Sequence, residues 1–378
     1  MNVRARPFHR LFATAQAMLI QWPVVFSFLQ QHALLLNSRQ GSFSVGTTPV
    51  PEPGPNEVLI RVEAAALNPV DWKIQAYGVV VETYPAVLGS DIAGVVEQVG
   101  LNVTSFEPGD RVITQGVIGM NDRSGFQQYT LGYEELTAQI PGWMAFEEAA
   151  TIPLGLATAS LGMYNVHSTD TSAGLLPPWE PNGRDRYTGK PFVVLGGSSS
   201  VGHYVIQLAK LSGFSPIITT ASLYNAPSLL ALGATHVFDR HLSPSALRST
   251  IADITNGPIG TIYDAVSIYE TQNLAYDLLA PGGCLVLVLK DNVEKDKKSA
   301  DRRVVNVDAS ISYAHNRETG VSLYAALSTL LANEEIQPHH VEVLPDGLRG
   351  IPEGLKRLQA GVSNVKLVAQ PQLEGRWK

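Results

Sequence analysis

One cysteine, Cys284, serves all 378 residues. That excludes an internal disulfide and any cysteine-built zinc site, and it fits a reducing compartment. Charge is also scarce: charged residues make up 16% of the chain and the net charge is -7. With no broad basic surface, nucleic acid is not expected as a partner. Acidic residues are missing altogether before Glu52, while Arg4, Arg6 and Arg10 precede the apolar stretch AMLIQWPVVFSFL. Gln21 and Pro23 interrupt that stretch, and about 20 continuous apolar residues are needed to cross a bilayer, so no membrane role is expected. Residues 1–29 are set aside as an extension: an Arg-rich presequence, the apolar part of a signal peptide, a disordered tail or a mispredicted start. The expected location is the cytoplasm, or the mitochondrion if the extension is a presequence.

What is plentiful is apolar and small. Hydrophobic residues at 45% suffice to bury two cores. From Ala33 the chain reads as short strands, among them EVLIRVEA, SDIAGVVEQVG, FEPGDRVIT and FQQYTL, each bounded by Pro, Gly or Asn. At FEEAATIPLGLATASLGMY small and apolar residues recur at helical spacing. Residues 168–190 read as a surface loop, rich in Pro, Gly and polar residues. Strand and helix segments then alternate, which calls for a parallel sheet covered on both faces. The near-neutral run KDNVEKDKKSADRR reads as a solvated loop. No internal repeat is present. The fold class is α/β: a β-rich domain, barrel or sandwich, over residues 30–152, a doubly wound parallel sheet over 153–312, and a return to strand-like segments over 313–378.

The stretch LGGSSSVGHYVIQLAK places its smallest residues between a strand and a helix. Such a turn permits close backbone approach and aims free N–H groups along a helix dipole, which suits a pyrophosphate. The spacing Gly196-x-x-Ser199-x-x-Gly202, with Gly197 inside it, is a variant of the dinucleotide fingerprint. Gly196, Gly197, Ser198, Ser199, Ser200, Val201 and Gly202 are therefore expected to bind cofactor. A tight turn without a ligand is the alternative. A second strand, PIITTA, follows about 20 residues on, where an Asp or Glu would bind the ribose of NAD. None stands between Thr219 and Asn225. The hydroxyls of Thr220, Ser222 and Tyr224 suit a 2′-phosphate instead, so NADPH is the expected cofactor; the cation would come from elsewhere, such as Arg240.

Five stretches together resemble the medium-chain dehydrogenase/reductase superfamily: ALNPVDWKIQAYG, PAVLGSDIAGVVEQVG, FEPGDRV, EEAATIP and LGGSSSVGHYVIQLAK. The resemblance covers residues 33 to 378 and is nearest to the zinc-free branch of quinone oxidoreductases and fungal trans-acting enoyl reductases. It implies a GroES-like barrel carrying the chemistry and a Rossmann domain binding the cofactor. Zinc members carry a catalytic Cys on an early strand, a four-Cys lobe, and Gly-His-Glu where this chain has Gly89-Ser90-Asp91. Their absence implies no metal site. Without metal an alkoxide is left unstabilised, whereas reduction of a polarised double bond needs only hydrogen-bond donors and a proton.

By the same resemblance Tyr77 stands where related reductases carry an active-site tyrosine; packing at a domain edge is its other reading. Asn68 and Asp71 belong to a motif lining the cleft, in a catalytic role or as an Asx turn. Lys73 is a phosphate anchor or a surface lysine. Val266 and Ser267 are expected to end a strand beneath the nicotinamide and to act through their backbone. Ser90 and Asp91 are expected to hold strand geometry, and His203 to be packed or to face solvent rather than to act in catalysis. The implied activity is NADPH-dependent, zinc-independent reduction of an enoyl thioester or enone. A quinone or carbonyl reductase, or an NADPH-binding protein without turnover, are the alternatives; Ser199, where the family often has Gly, keeps the last open. Expected partners are a small or carrier-bound enoyl substrate and a polyketide synthase. The protein is expected to be a monomer or homodimer.

Overall fold

The structure is a computed structural model that describes residues 29–255 and 257–373. Apart from Leu29, the extension read over residues 1–29 lies outside them. Two large sheets organise the rest. The first is largely antiparallel and seven-stranded: Val341–Val343, Lys366–Ala369, Glu57–Ala66, Asp91–Val99, Arg111–Gln115 and Thr137–Gln139 lie side by side, and Tyr129–Tyr133 pairs with the far half of Glu57–Ala66. A three-stranded sheet, Phe43–Pro49, Gln30–Leu36 and Ala86–Val87, packs beside it. Alternation in EVLIRVEAAA turns successive residues to opposite faces, and both faces are covered where the strand reaches Ala64, Ala65 and Ala66. Ala66 pairs with Asp91 there, so the ends of two strands meet in the interior.

The second sheet has six parallel strands in the spatial order His236–Asp239, Ile217–Ala221, Phe192–Leu195, Thr261–Asp264, Cys284–Leu287 and Arg303–Asn306. Sequence order reverses on either side of Phe192–Leu195. This is the dinucleotide-binding Rossmann arrangement, whose crevice opens at the carboxyl end of that first strand. The strand FVVL is buried throughout, as a sheet covered on both faces requires.

One helix binds the sheets together. In Pro153–Tyr164 every residue except Leu154 is buried. Its small residues, Gly155, Ala157, Ala159 and Gly162, let neighbours approach on all sides; a Cβ on Gly162 would lie 2.7 Å from the Tyr263 hydroxyl. Its core cluster runs from Ala93 and Ile113 of the first sheet to Phe192 and Val286 of the second.

The surface loop expected at 168–190 lacks regular structure yet is partly interior. The Trp179 ring lies 5.3 Å from Tyr164 and donates from Nε1 to Ser322 Oγ at 2.8 Å, while Tyr187 stacks on Phe214. Its polar composition concealed these aromatic anchors, because composition reports an average and two rings suffice to pin a loop.

Candidate functional site

The strand Phe192–Leu195 enters the turn Gly196–Ser199, and the helix Ser200–Leu211 leaves it. Gly196 has φ +81°, a conformation that costs an L side chain a penalty. A Cβ on Gly202 would lie 2.3 Å from the Gly196 carbonyl oxygen, and one on Gly197 would lie 2.2 Å from Thr219 Oγ1. Small residues therefore close the turn on itself. Ser199 caps the helix, its Oγ accepting from Gly202 N–H at 3.1 Å. The next N–H groups of a helix start have no intrahelical acceptor, which leaves those of Ser200 and Val201 for an anion. Ser200 Oγ is buried without a protein partner. The cradle fits a pyrophosphate, with Ser198 and Val201 half-buried along it, whereas Ser200 Oγ lies toward Gly155, whose added Cβ it would meet at 2.8 Å.

At the end of Ile217–Ala221, Thr220 Oγ1 accepts from Gly196 N–H at 3.1 Å, so this hydroxyl braces the turn. Ser222 follows the strand, half-buried. Tyr224 is exposed, and its hydroxyl donates to Ser363 Oγ at 2.5 Å. When the phenol ionises, Ser363 can donate to the phenolate in return, the main cause of a lowered Tyr224 pKa, and the charge of Arg240 adds to it. The Arg240 charge thus reaches Tyr224, the outermost of the three hydroxyls. Asp239, one strand over, is engaged: its Oδ1 accepts from His241 N–H.

On the other side of the switch point the strand Thr261–Asp264 ends earlier than expected. Val266 and Ser267 form the turn beyond it, with Ser267 at φ +56°. Asp264 builds this turn: one oxygen accepts from Val266 N–H at 3.0 Å and Ser267 N–H at 2.8 Å, the other from Thr271 Oγ1. Burial pushes its carboxyl up to about 6 against those donors. Val266 Cγ2 would meet a Cβ on Gly196 at 2.4 Å, so this turn and the glycine turn form the two lips of the crevice.

The residues of NPVDWK gather a buried polar group. Asn68 precedes the helix Pro69–Tyr77, and its backbone N–H donates to Asp71 Oδ2 at 2.8 Å. Asn68 Nδ2 donates to Asp91 Oδ2 at 2.8 Å, and Asn68 Oδ1 accepts from Lys366 Nζ. Lys366 Nζ also lies 2.8 Å from Asp91 Oδ2, and Asp91 Oδ1 accepts from Leu154 N–H at 2.6 Å. All four side chains are buried. Asp71 Oδ1 and the Ser90 hydroxyl are buried with no protein partner.

Burial pushes the Asp71 carboxyl up to about 7; the Asn68 N–H and Lys366 oppose this, and the charge on Asp91 reinforces it. An unfolded aspartate titrates near 3.9, so between about pH 4 and 7 the native state binds the extra proton. The stability that this group contributes is complete below about pH 4 and is lost as pH rises through 7. Asp71→Asn removes that dependence. In urea unfolding, the stability of the native protein relative to the variant is expected to fall between pH 4 and 7, by no more than about 4 kcal/mol.

Tyr77 does not join this group. It ends the same helix, about 13 Å from Asn68 and about 9 Å from Asp71 along the axis at 1.5 Å per residue, exposed and edge-on to Trp72. Lys73 is half-buried, its Nζ 5.7 Å over the Trp72 ring, and burial lowers its pKa. Among the described residues no group of three His, Cys, Asp or Glu could hold a metal. His203 is packed: its ring stacks on His339 with centroids 3.8 Å apart, Nε2 lies 3.0 Å from the Gln337 carbonyl, and burial lowers its pKa to about 4.

Lys366 is the polar residue that sequence reading missed. It is 298 residues from Asn68, and no local pattern marks one lysine in a strand as interior.

Known proteins share this architecture. Residues 54–157 match the alcohol dehydrogenase GroES-like domain, and residues 200–321 match the zinc-binding dehydrogenase family. The chain is 42% identical over 203 residues to Dehydrogenase pigH of Monascus ruber, a stretch covering 52% of this chain and 53% of that protein. It is 35% identical over 272 residues to Trans-enoyl reductase himH of Aspergillus japonicus, covering 70% of this chain and 75% of that one. An alcohol dehydrogenase superfamily protein from Novosphingobium aromaticivorans has the same fold, with TM-score 0.74 and 22% identity over 89% of this chain and 98% of that chain.

Proposed function

The chain belongs to the medium-chain dehydrogenase/reductase superfamily, and on that premise we propose that it is an NADPH-dependent, zinc-independent reductase of enoyl thioesters or enones. The observation that carries this reading is the buried Gly89-Ser90-Asp91 segment. A serine stands between glycine and carboxylate, Asn68 Nδ2 donates to that carboxylate, and neither serine nor asparagine is a good zinc ligand. A substrate reduced here has to arrive already polarised. A relative named as a trans-enoyl reductase, aligned over most of both chains, supports the same class.

When bound, NADPH supplies a hydride from its nicotinamide. The protein's own residues have three tasks. The glycine turn holds the pyrophosphate against the start of the helix Ser200–Leu211, and the Val266–Ser267 turn walls the crevice. Asn68, Asp71, Asp91 and Lys366 fix the start of the helix Pro69–Tyr77. Reduction of the substrate would also require a proton at its α-carbon, and the hydroxyl of Tyr77, on the accessible end of that helix, would hold it.

The test follows NADPH oxidation with a short enoyl thioester and a simple quinone offered in parallel. Faster thioester turnover is expected. Faster quinone turnover would move the activity to quinone reduction, and NADPH binding without turnover of either would make this a binding protein. Tyr77→Phe is expected to lower kcat with the thioester at least tenfold and to leave NADPH affinity within about twofold, the proton-transfer contribution being 10²–10⁴ in general. Unchanged turnover would remove Tyr77 from the mechanism.

A further inference from the structure

Lys366 opens the short strand Lys366–Ala369, near the end of the described chain, yet its side chain reaches the start of a helix in the first domain. Two backbone bonds fix its position. Its own N–H donates to the His340 carbonyl at 2.8 Å, and the Leu367 carbonyl accepts from Leu67 N–H at 2.9 Å, immediately before Asn68. From there the ammonium contacts Asn68 Oδ1 and Asp91 Oδ2 together.

These two contacts remove an ambiguity. An amide can turn its oxygen or its nitrogen toward a neighbour, but an ammonium only donates and a carboxylate only accepts. Asn68 must therefore present Oδ1 to Lys366 and Nδ2 to Asp91. Asp91 in turn accepts from Leu154 N–H, in the first turn of the helix Pro153–Tyr164 that joins the two sheets. One ammonium thus registers the helix Pro69–Tyr77 against that connecting helix.

Stability does not account for this arrangement. The Lys366 and Asp91 side chains are 5% and 0% exposed. A buried pair of this kind gains little over apolar residues of the same volume, because desolvation of both ions offsets their attraction. What an apolar pair cannot supply is the orientation of Asn68.

We infer that Lys366 is a positioning residue of the active site: by holding Asn68 Oδ1 and Asp91 Oδ2 on one ammonium, it sets the start of the helix whose exposed end carries Tyr77. The inference rests on the reductase reading for its kinetic consequence, but its structural consequence can be measured without turnover.

Three variants test it. Lys366→Met alone strands the Asp91 carboxylate and is expected to unfold more readily. The charge-balanced pair Lys366→Met/Asp91→Asn removes that penalty and is expected to melt close to the parent protein, while kcat with the enoyl thioester stays ten- to hundredfold down and NADPH affinity changes less than threefold. Lys366→Arg, which keeps both donor contacts, is expected to recover most of kcat. Backbone hydrogen exchange supplies the readout that needs no substrate. In the charge-balanced pair, exchange should quicken over residues 68–77 and remain as in the parent over 200–211, whereas a general loss of stability would quicken both. Parent-like exchange over 68–77, or parent-like kcat in the pair, would overturn the inference. If the parent protein turned over no enoyl thioester, the reductase reading would fall and the exchange result alone would decide the role of Lys366.

Discussion

Gly202→Ala is expected to weaken NADPH binding by at least two orders of magnitude while leaving the first domain folded. The added Cβ would sit 2.3 Å from the Gly196 carbonyl oxygen and 2.8 Å from the Gly197 Cα. Both are backbone atoms, so no rotamer change makes room, and either the helix start or the glycine turn has to move. If the helix moves, Ser199 Oγ loses its bond to Gly202 N–H, a cap worth about 1 kcal/mol. If the turn moves, Gly196 N–H parts from Thr220 Oγ1 and Gly197 N–H from the Thr220 carbonyl. In both cases the N–H groups expected to meet the pyrophosphate are displaced together, and a loss of about 3 kcal/mol corresponds to about a hundredfold in affinity. Fluorescence titration with NADPH gives the affinity, and thermal unfolding shows whether the fold survives. Wild-type affinity in a folded variant would mean that the cofactor does not sit on this turn.

The legibility of the chain follows the range of the interactions involved. The parallel sheet could be read because each strand-to-helix unit is local, and GGSSSVG sits between two apolar runs with opposite periodicities. In NPVDWK, Pro in the first turn and Asn before it are local signals of a helix start, which the reading of the motif as a cleft lining or an Asx turn did not use. What such signals could not show is how far apart on that helix the candidates lie. Asn68 and Asp71 face the interior while Tyr77 lies in solvent, about 13 Å along the axis from the first and about 9 Å from the second, because the helix carries successive side chains from one environment to another. Lys366 was out of reach for a different reason. A lone lysine in VKLVAQ has the same local appearance inside or outside, and only pairing with Glu57–Ala66 brings it to Asn68 and Asp91. The same limit applied at Val266 and Ser267, where a buried carboxylate, Asp264, ends the strand and rebuilds the following residues as a turn.

Cofactor choice is the second large effect, and it depends on charge at one strand end. Ser222→Asp is expected to reverse the preference, weakening NADPH about a hundredfold and improving NADH. Ser222 is the first residue after Ile217–Ala221, the place where a carboxylate would accept from a ribose hydroxyl and repel a 2′-phosphate. Arg240 → Ala is the complementary change. The charge of Arg240 reaches Tyr224, and its backbone N–H donates to the Ala221 carbonyl at 3.0 Å, which keeps this residue at the mouth of the same strand. Without the guanidinium, NADPH affinity is expected to fall about ten- to hundredfold, since a charge-assisted bond to phosphate contributes on the order of 1.5–3 kcal/mol. NADH affinity should not change, because that cofactor carries no phosphate there. Raised salt should weaken NADPH more in the parent than in the Arg240 variant, screening being felt by the interaction that the variant lacks. The two substitutions act on opposite sides of one electrostatic balance. If both left the ratio of NADPH to NADH affinity unchanged, the 2′-phosphate would have to be recognised elsewhere, and the hydroxyls of Thr220 and Tyr224 would keep only the structural bonds they make to Gly196 and Ser363.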